Sequence, residues 1–267
     1  QPHDGLIQGG PGVFLVQAGG SIDLGSLKDG IQAVGNGNNL QLSQDSSKLI
    51  VLSGYGFDRT ASDIEGFFNT LRTAGDNYAA LMSQGKLEEA RQLLQTTRTE
   101  TIGPLLGSPT GVGDINMTSS QIGTAIGKSD VFVIANGDMN LGQTALPLAG
   151  TTAKTTGITT GGGGDINIFA RKDVNVNESR VMTFYGGDIT VWSDEGSINA
   201  GRGSRTAVSA LPPRRVKTLQ GLYVTVFSPP AVGSGLRAVT YGDNPPPPGN
   251  IHLFAPSGVI DAGEAGI

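Results

Sequence analysis

The segment GDITVWSDEGSINAG (187–201) and the segment GNIHLFAPSGVIDAG (249–263) align without a gap. Gly187 meets Gly249, Ile189 meets Ile251, Val191 meets Leu253 and Trp192 meets Phe254; Gly196 meets Gly258, Ile198 meets Ile260, and Gly201 meets Gly263. Three further copies join once one residue is dropped at the turn: GVFLVQAGGSIDLG (12–25), SDVFVIANGDMNLG (129–142) and GDINIFARKDVNVN (164–177). A weaker copy starts at GDINMTSSQIG (113–123). Each copy reads as two short strands around a turn. In 187–201, Ile189 and Val191 share one side, Ile198 and Ala200 do the same after the turn, and Thr190 and Asn199 between them are polar. Period two with one apolar face marks a half-buried strand. Asp, Asn and Gly fill the corners because they tolerate the backbone of sharp turns.

One such unit cannot bury its own face, whereas stacked units share a continuous core. From Ile166 to Ile189 is a spacing of 23 residues, and Val181, Thr183 and Tyr185 supply a third alternating strand between them. Three short strands per repeat of this length predict a parallel β-helix, a β-solenoid. A β-sandwich also has many short strands and frequent turns, but it does not account for in-register repetition.

Composition agrees with an all-β chain. Among 267 residues there are 42 glycines, only 15% are charged and 37% are hydrophobic. The glycines follow no three-residue period, which excludes collagen, and the alternating Val, Ile and Leu argue against disorder. With no cysteine, neither disulfides nor thiolate metal sites are expected. The two histidines, His3 and His252, have no ligand-like neighbours, so no metal and no cofactor are expected. A net charge of −5 argues against nucleic acid as a partner. No apolar run is long enough to span a bilayer. No signal peptide is visible at Gln1, and the chain reads as a piece of something longer.

Two segments break the repeat. From Thr60 to about Thr99 the period becomes helical: Ile64, Phe67, Phe68 and Leu71 fall at i, i+3, i+4 and i+7. Ser62 with Glu65 predicts a capping box, and Gly85 predicts the break before a second helix, LEEARQLLQ, burying Leu87, Leu93 and Leu94. These apolar stripes are expected to cover the scaffold or each other. The second interruption, 204–248, is rich in proline, each of which removes a ladder donor. Within it VKTLQGLYVTVF predicts a protruding hairpin or edge segment, and Pro245 to Pro248 a stiff connector. The division is therefore β-helix coils at 1–59, a helical insertion at 60–100, coils at 101–204, a proline-rich loop or hairpin at 205–248, and a further coil at 249–267 expected to continue beyond the chain end.

The main concentration of positive charge is Arg202, Arg205, Arg214, Arg215 and Lys217, which suits an anionic glycan or phosphate-bearing surface and equally suits solvated loops. GGGGD (161–165) is similar to calcium-binding nonapeptides, but that signal needs tandem copies and here there is one. Asp165, Asn167, Asp173, Asn175 and Asn177 are expected to stack in ladders or line turns without an ion. Asp188, Asp194 and Glu195 fall near Arg171, Lys172 and Asp173 if adjacent coils stack, and paired carboxylates in a groove would suit a polysaccharide hydrolase or lyase. No residue is assigned a catalytic role. Trp192 and Phe254, opposite in parity to Val191 and Leu253, are expected to face outward, beneath the helical insertion or as a platform for a sugar ring.

GGDITVWSDEGSINAGRGSRT, a proline-rich stretch and then PPGNIHLFAPSGVIDAGEAGI together resemble a block in the C-terminal portion of large filamentous-haemagglutinin-like bacterial exoproteins. The resemblance is specific over about 161–267. It implies a right-handed parallel β-helix exported by two-partner secretion through a dedicated outer-membrane pore, with a role in adhesion, aggregation or contact-dependent competition. GNGNNL (35–40) is not the asparagine–proline motif of that family's secretion domain, and there is no RGD tripeptide. The expectation is a structural and adhesive segment, secreted or on the bacterial outer surface, with a surface glycan or a host or bacterial receptor as partner. The alternative is a polysaccharide-active enzyme on the same scaffold.

Overall fold

The computed structural model describes residues 5–27, 29–36, 39, 41–43, 45–55, 59–106, 113–142, 156–201, 234–240 and 244–267, and the backbone alone at 214–217 and 223–226. Within these residues the chain winds through six coils of three strands each. The first coil is β1 (Gly5–Gln8), β2 (Val13–Ala18) and β3 (Ile22–Gly25). The second is β4 (Gly30–Ala33), β5 (Lys48–Ser53) and β6 (Ile115–Met117); the third is β7 (Gln121–Thr124), β8 (Val131–Ala135) and β9 (Met139–Leu141). The fourth is β10 (Gly157–Thr160), β11 (Ile166–Ala170) and β12 (Val174–Asn175); the fifth is β13 (Arg180–Phe184), β14 (Ile189–Ser193) and β15 (Ile198–Asn199). An antiparallel hairpin, β16 (Arg214–Lys217) and β17 (Tyr223–Val226), precedes the sixth: β18 (Gly235–Val239), β19 (Ile251–Phe254) and β20 (Ile260–Asp261).

First strands stack as β1-β4-β7-β10-β13-β18, second strands as β2-β5-β8-β11-β14-β19, and third strands as β3-β6-β9-β12-β15-β20. Every neighbouring pair in these three sheets is parallel. The fold is a right-handed parallel β-helix, the hand that twisted parallel strands favour. Its register is the one the repeat implies: Ile189 pairs with Ile251, Trp192 with Phe254 and Ile198 with Ile260.

The interior is a stack of aliphatic rows, among them Ile31, Ile122, Ile158, Val181 and Leu236 on the first sheet, all fully buried. Three threonines of the first sheet enter it where a corner satisfies them. Thr124, Thr160 and Thr183 are buried, and each hydroxyl donates to a carbonyl of the next corner, those of Ser129, Gly164 and Gly187. Outside, carboxylates climb the corners. The backbone N–H of Asp165 donates to Asp130 Oδ1 (2.9 Å), that of Asp188 to Asp165 Oδ1 (2.9 Å) and that of Asn250 to Asp188 Oδ1 (2.7 Å). A second column runs through Asp114, Asp138, Asp173 and Ser197 in the same way. The amides of Asn116, Asn140 and Asn175 bond one to the next on the third sheet, at 3.0 and 3.1 Å. The ladder reading of Asp165, Asp173 and Asn175 therefore holds; Asn167 and Asn177 have other partners.

The coils approach so closely at corners that a side chain has no room there. At Gly201 φ is +96°, and a Cβ would lie 1.7 Å from the Asn177 carbonyl oxygen of the coil below.

Several details depart from the sequence reading. The weak copy at 113–123 is out of phase, because it spans β6 and β7, a third strand followed by a first strand. The second strand of that coil is KLIVLS (48–53), cut away from β6 by the helical insertion. GLRAV, placed in the proline-rich segment, is the first strand of the last coil, pairing with β13. The insertion consists of α1 (Ala61–Ser83), α2 (Leu87–Thr97), a π turn (Arg98–Ile102) and α3 (Gly103–Leu106), so it runs past residue 100. Its capping box is Thr60 with Asp63, not Ser62 with Glu65. In α2 the buried residues are Ala90 and Thr97; Leu87 is exposed, and Leu93 and Leu94 are half-buried.

Candidate functional site

The second sheet is buried on both faces from the second coil to the fifth. Alternate residues leave the solenoid interior, and on β5, β8, β11 and β14 these include Ile50, Leu52, Phe132, Ile134, Phe169 and Trp192. Burial on both faces explains why IVL and VFVI read as unbroken apolar runs rather than alternation. The roof is α1, whose Ile64, Phe67, Phe68 and Leu71 are buried against this strip. Phe67 meets Phe169 edge-on with ring centroids 5.3 Å apart, and Phe68 lies 5.6 Å from Phe132. Trp192 and Phe254 lie 5.5 Å apart in the same cluster with their ring planes tilted by 44°, so their outward parity is correct and they receive the helices.

α1 runs along the solenoid axis, crossing one strand after another. Near its start Glu65 pairs with Lys48 of β5, and mid-way the Arg72 guanidinium donates to Asn167 Oδ1 of β11 (3.3 Å). By Gly75 it has reached β19, where a Cβ would fall 2.3 Å from the Phe254 ring. Asp76 lies 3.8 Å from His252 Nδ1 on the same strand. After α2 turns back, Arg98 latches the π turn to the fifth and sixth coils. Its Nε donates to both carboxylate oxygens of Asp194 (2.9 and 3.1 Å), and its Nη2 donates to the Asp194 carbonyl and Ser257 Oγ (2.7 Å each). The Asp194 carboxylate is 3% exposed, so this pair works in a low dielectric.

Between α1 and α2 lies an open groove of about 450 Å³, lined by Asn69, Thr70, Thr73, Asn77, Thr96 and Glu100 among others. The hydroxyls of Thr70, Thr73 and Thr97 donate to the carbonyls four residues back, so they offer lone pairs to the groove. Among the described residues no Lys or Arg lines it. It is the concave, hydrogen-bonding part of the helical hairpin's solvent side.

The carboxylates considered for hydrolase or lyase chemistry all have structural partners. Asp194 holds Arg98, Glu195 lies 4.0 Å from Arg171, and Asp173 and Asp188 accept from backbone N–H groups. Burial first, and then the like charges of Asp130 and Asp188, push the Asp165 carboxyl up, against the Asp188 N–H and Arg72. Hydrogen bonds from the Thr60 backbone and hydroxyl hold Asp63 below the ordinary carboxylate value. Burial pushes the Tyr55 phenol far up. Among the described residues no three His, Asp or Glu gather as metal ligands. Among the described residues no helix is long and apolar enough to cross a membrane. Of the basic group, Arg214, Arg215 and Lys217 share β16, but their side chains, like Arg202 and Arg205 altogether, lie outside the described residues.

Sequence reasoning missed Arg98 and Lys48, whose partners are remote in sequence and carry no local signal. It also missed the groove, although Thr and Asn recurring at helical spacing opposite the apolar stripe mark it.

From Gly186 onward the sequence matches a family model described as filamentous haemagglutinin family outer membrane protein, over residues 186–267. This stretch of the chain is filamentous-haemagglutinin-like. The haemagglutinin-like stretch spans β14, β15, the hairpin and the whole sixth coil, so it includes Trp192, Asp194, Phe254 and Ser257, the residues that receive α1 and the π turn. The helices themselves lie outside it. No curated protein and no solved structure matched the chain.

Proposed function

We propose that this chain is a structural and adhesive segment of a large bacterial exoprotein, carried on the outer surface or released from it. The observation that supports this best is the in-register six-coil solenoid whose last coils are the haemagglutinin-like stretch. The mechanism follows from the architecture. Stacked coils make a stiff rod because each inner strand is hydrogen-bonded on both sides by its neighbours, and insertions at the corners give individual sides of the rod their own surface. The helical hairpin decorates one side, and its groove offers acceptors in hydroxyl, amide and carboxylate form. Export through an outer-membrane pore of the two-partner type suits a cysteine-free chain, and a surface glycan or a cell-surface receptor is the partner such a rod would meet.

The test is the size distribution of neutral and acidic polysaccharides before and after incubation with the purified protein. Growth into larger complexes supports the adhesive reading, and Glu100→Gln and the basic residues of β16 are then the first variants to compare. A shift to shorter chains would replace this reading with a polysaccharide-degrading enzyme.

A further inference from the structure

The groove between α1 and α2 gathers polar side chains that the fold does not use. Elsewhere on the hairpin the carboxylates have partners: Asp63 caps α1 with Thr60, Glu65 pairs with Lys48, and Asp76 faces His252. Glu88 pairs with Arg91, and Glu89 with Lys86. Glu100, which lines the groove, has no partner among the described residues, and neither do the side chains of Asn69, Asn77 and Thr96 that line it too. Thr70, Thr73 and Thr97 have each committed their one hydroxyl proton to a carbonyl four residues back, at 3.0, 3.0 and 2.8 Å. A hydroxyl so bonded offers a ligand only lone pairs, and an ionised carboxylate likewise only accepts. The apolar part of the lining is small, Ala74 and Leu93.

We propose that this groove binds an amine-bearing sugar, its ammonium against Glu100, its hydroxyls donating to the threonines and its C–H face on Leu93. This rests on the adhesive reading and names its ligand. The chemistry of the lining selects the class. A sugar ring sends hydroxyl donors in several directions at once, and the Asn69 and Asn77 amides, which both donate and accept, suit the hydroxyls that remain. A neutral hydroxyl still brings more lone pairs than protons to a groove already rich in acceptors. An ammonium brings three donors, no acceptor and the counter-charge that Glu100 lacks. N-acetylation removes that charge and adds a carbonyl acceptor, and an acidic sugar sets like charge against Glu100. Peptides dock by adding to a sheet edge or by filling apolar anchor pockets; here both walls are helical, and one leucine and one alanine make no anchor pocket. The volume, about 450 Å³, falls within the range of about 300–1,000 Å³ usual for small-ligand sites.

The test is isothermal titration calorimetry of the whole protein with two trisaccharides of the same linkage, one of glucosamine and one of N-acetylglucosamine, at about pH 6, where an ordinary amine is protonated. The glucosamine trisaccharide should bind saturably and about tenfold or more tighter than its acetylated counterpart. Glu100→Gln should weaken it about fivefold or more. Thr73→Val, which keeps the shape and removes the lone pairs, should weaken it about threefold or more. Glu88→Gln, the same charge change away from the groove, should leave it unchanged. Thr73 and Glu100 are exposed, so their variants keep the fold, which the emission of the single tryptophan checks. No saturable binding, equal affinity for the two sugars, or a loss shared by Glu88→Gln would overturn the proposal. Displacement of the sugar by trilysine at equal concentration would give the groove to a basic peptide and overturn it as well. The adhesive reading fails separately: polysaccharides gathered into larger complexes by the Glu100→Gln protein as well as by the unmodified one would keep that reading and remove the groove from it.

Discussion

At the scale of single residues, two positions decide whether the helices stay on the rod. Gly75 sits inside a helix, where glycine costs about 1 kcal/mol relative to alanine. Its Cβ would nevertheless meet the Phe254 ring at 2.3–2.5 Å, so overpacking outweighs propensity. Gly75→Ala should lower stability by about 1–2 kcal/mol in urea unfolding, and adding Phe254→Leu should recover most of it. A stabilised Gly75→Ala would mean that the ring yields freely and that the approach there is loose. Arg98 is the other position. Removing it leaves the Asp194 carboxylate buried without a counter-charge, which costs about 3 kcal/mol or more. Arg98→Ala should therefore destabilise by that order. Arg98→Lys should recover less than half, because an ammonium cannot bond both carboxylate oxygens, a backbone carbonyl and Ser257 in one plane.

At the scale of elements, the corner column and the helical hairpin behave differently. Asp165 lies between Asp130 and Asp188 and has its carboxyl pushed above its ordinary 3.8. In the window between 3.8 and the raised value the folded state binds more protons than the unfolded state, so this group adds stability as pH falls. Asp165→Asn keeps the oxygen that accepts from Asp188 N–H and removes the charge. It should stabilise the protein at neutral pH, with the gain shrinking as pH falls toward 4, as thermal unfolding across pH will show. Deletion of α1 and α2 with a short linker between Thr60 and Thr99 strips the roof from Ile50, Leu52, Phe132, Phe169 and Trp192. The expected outcome is loss of soluble folded protein on expression, because so large an apolar strip does not stay in water. A soluble rod whose circular dichroism keeps its strand signal and loses only that of the deleted helices would make the hairpin an ornament rather than a cover. Helices and strands alike were legible in the periodicity of 64, 67, 68 and 71 and of 187–201. The helix cap was misplaced by two residues because Thr-x-x-Asp serves the same geometry as Ser-x-x-Glu.

At the scale of the whole molecule, repetition made the solenoid legible, and insertion hid part of it. A repeat search finds coils whose second and third strands are close in sequence. It fails for the second coil, where α1, α2, the π turn and α3 separate β5 from β6. It fails differently at the candidate site, since the contacts of Arg98, Gly75 and Lys48 join elements distant along the chain and only three-dimensional stacking brings them together. Those same contacts change how the rod should unfold. In a solenoid governed by nearest neighbours alone, both ends fray alike and protection rises smoothly toward the middle. Here α1 touches β5, β8, β11 and β19, stapling the second to sixth coils together. The first coil is left with Val13 and Leu15 exposed on the uncovered outer face of β2. Native-state hydrogen exchange should therefore be lopsided. Amides of β19 should exchange with the same free energy of opening as those of β8 and β11, while amides of β2 exchange about tenfold or more faster. Gly75→Ala should detach β19 from the shared unit and make the two ends alike; symmetrical fraying in the unmodified protein would show instead that the staple carries no cooperativity.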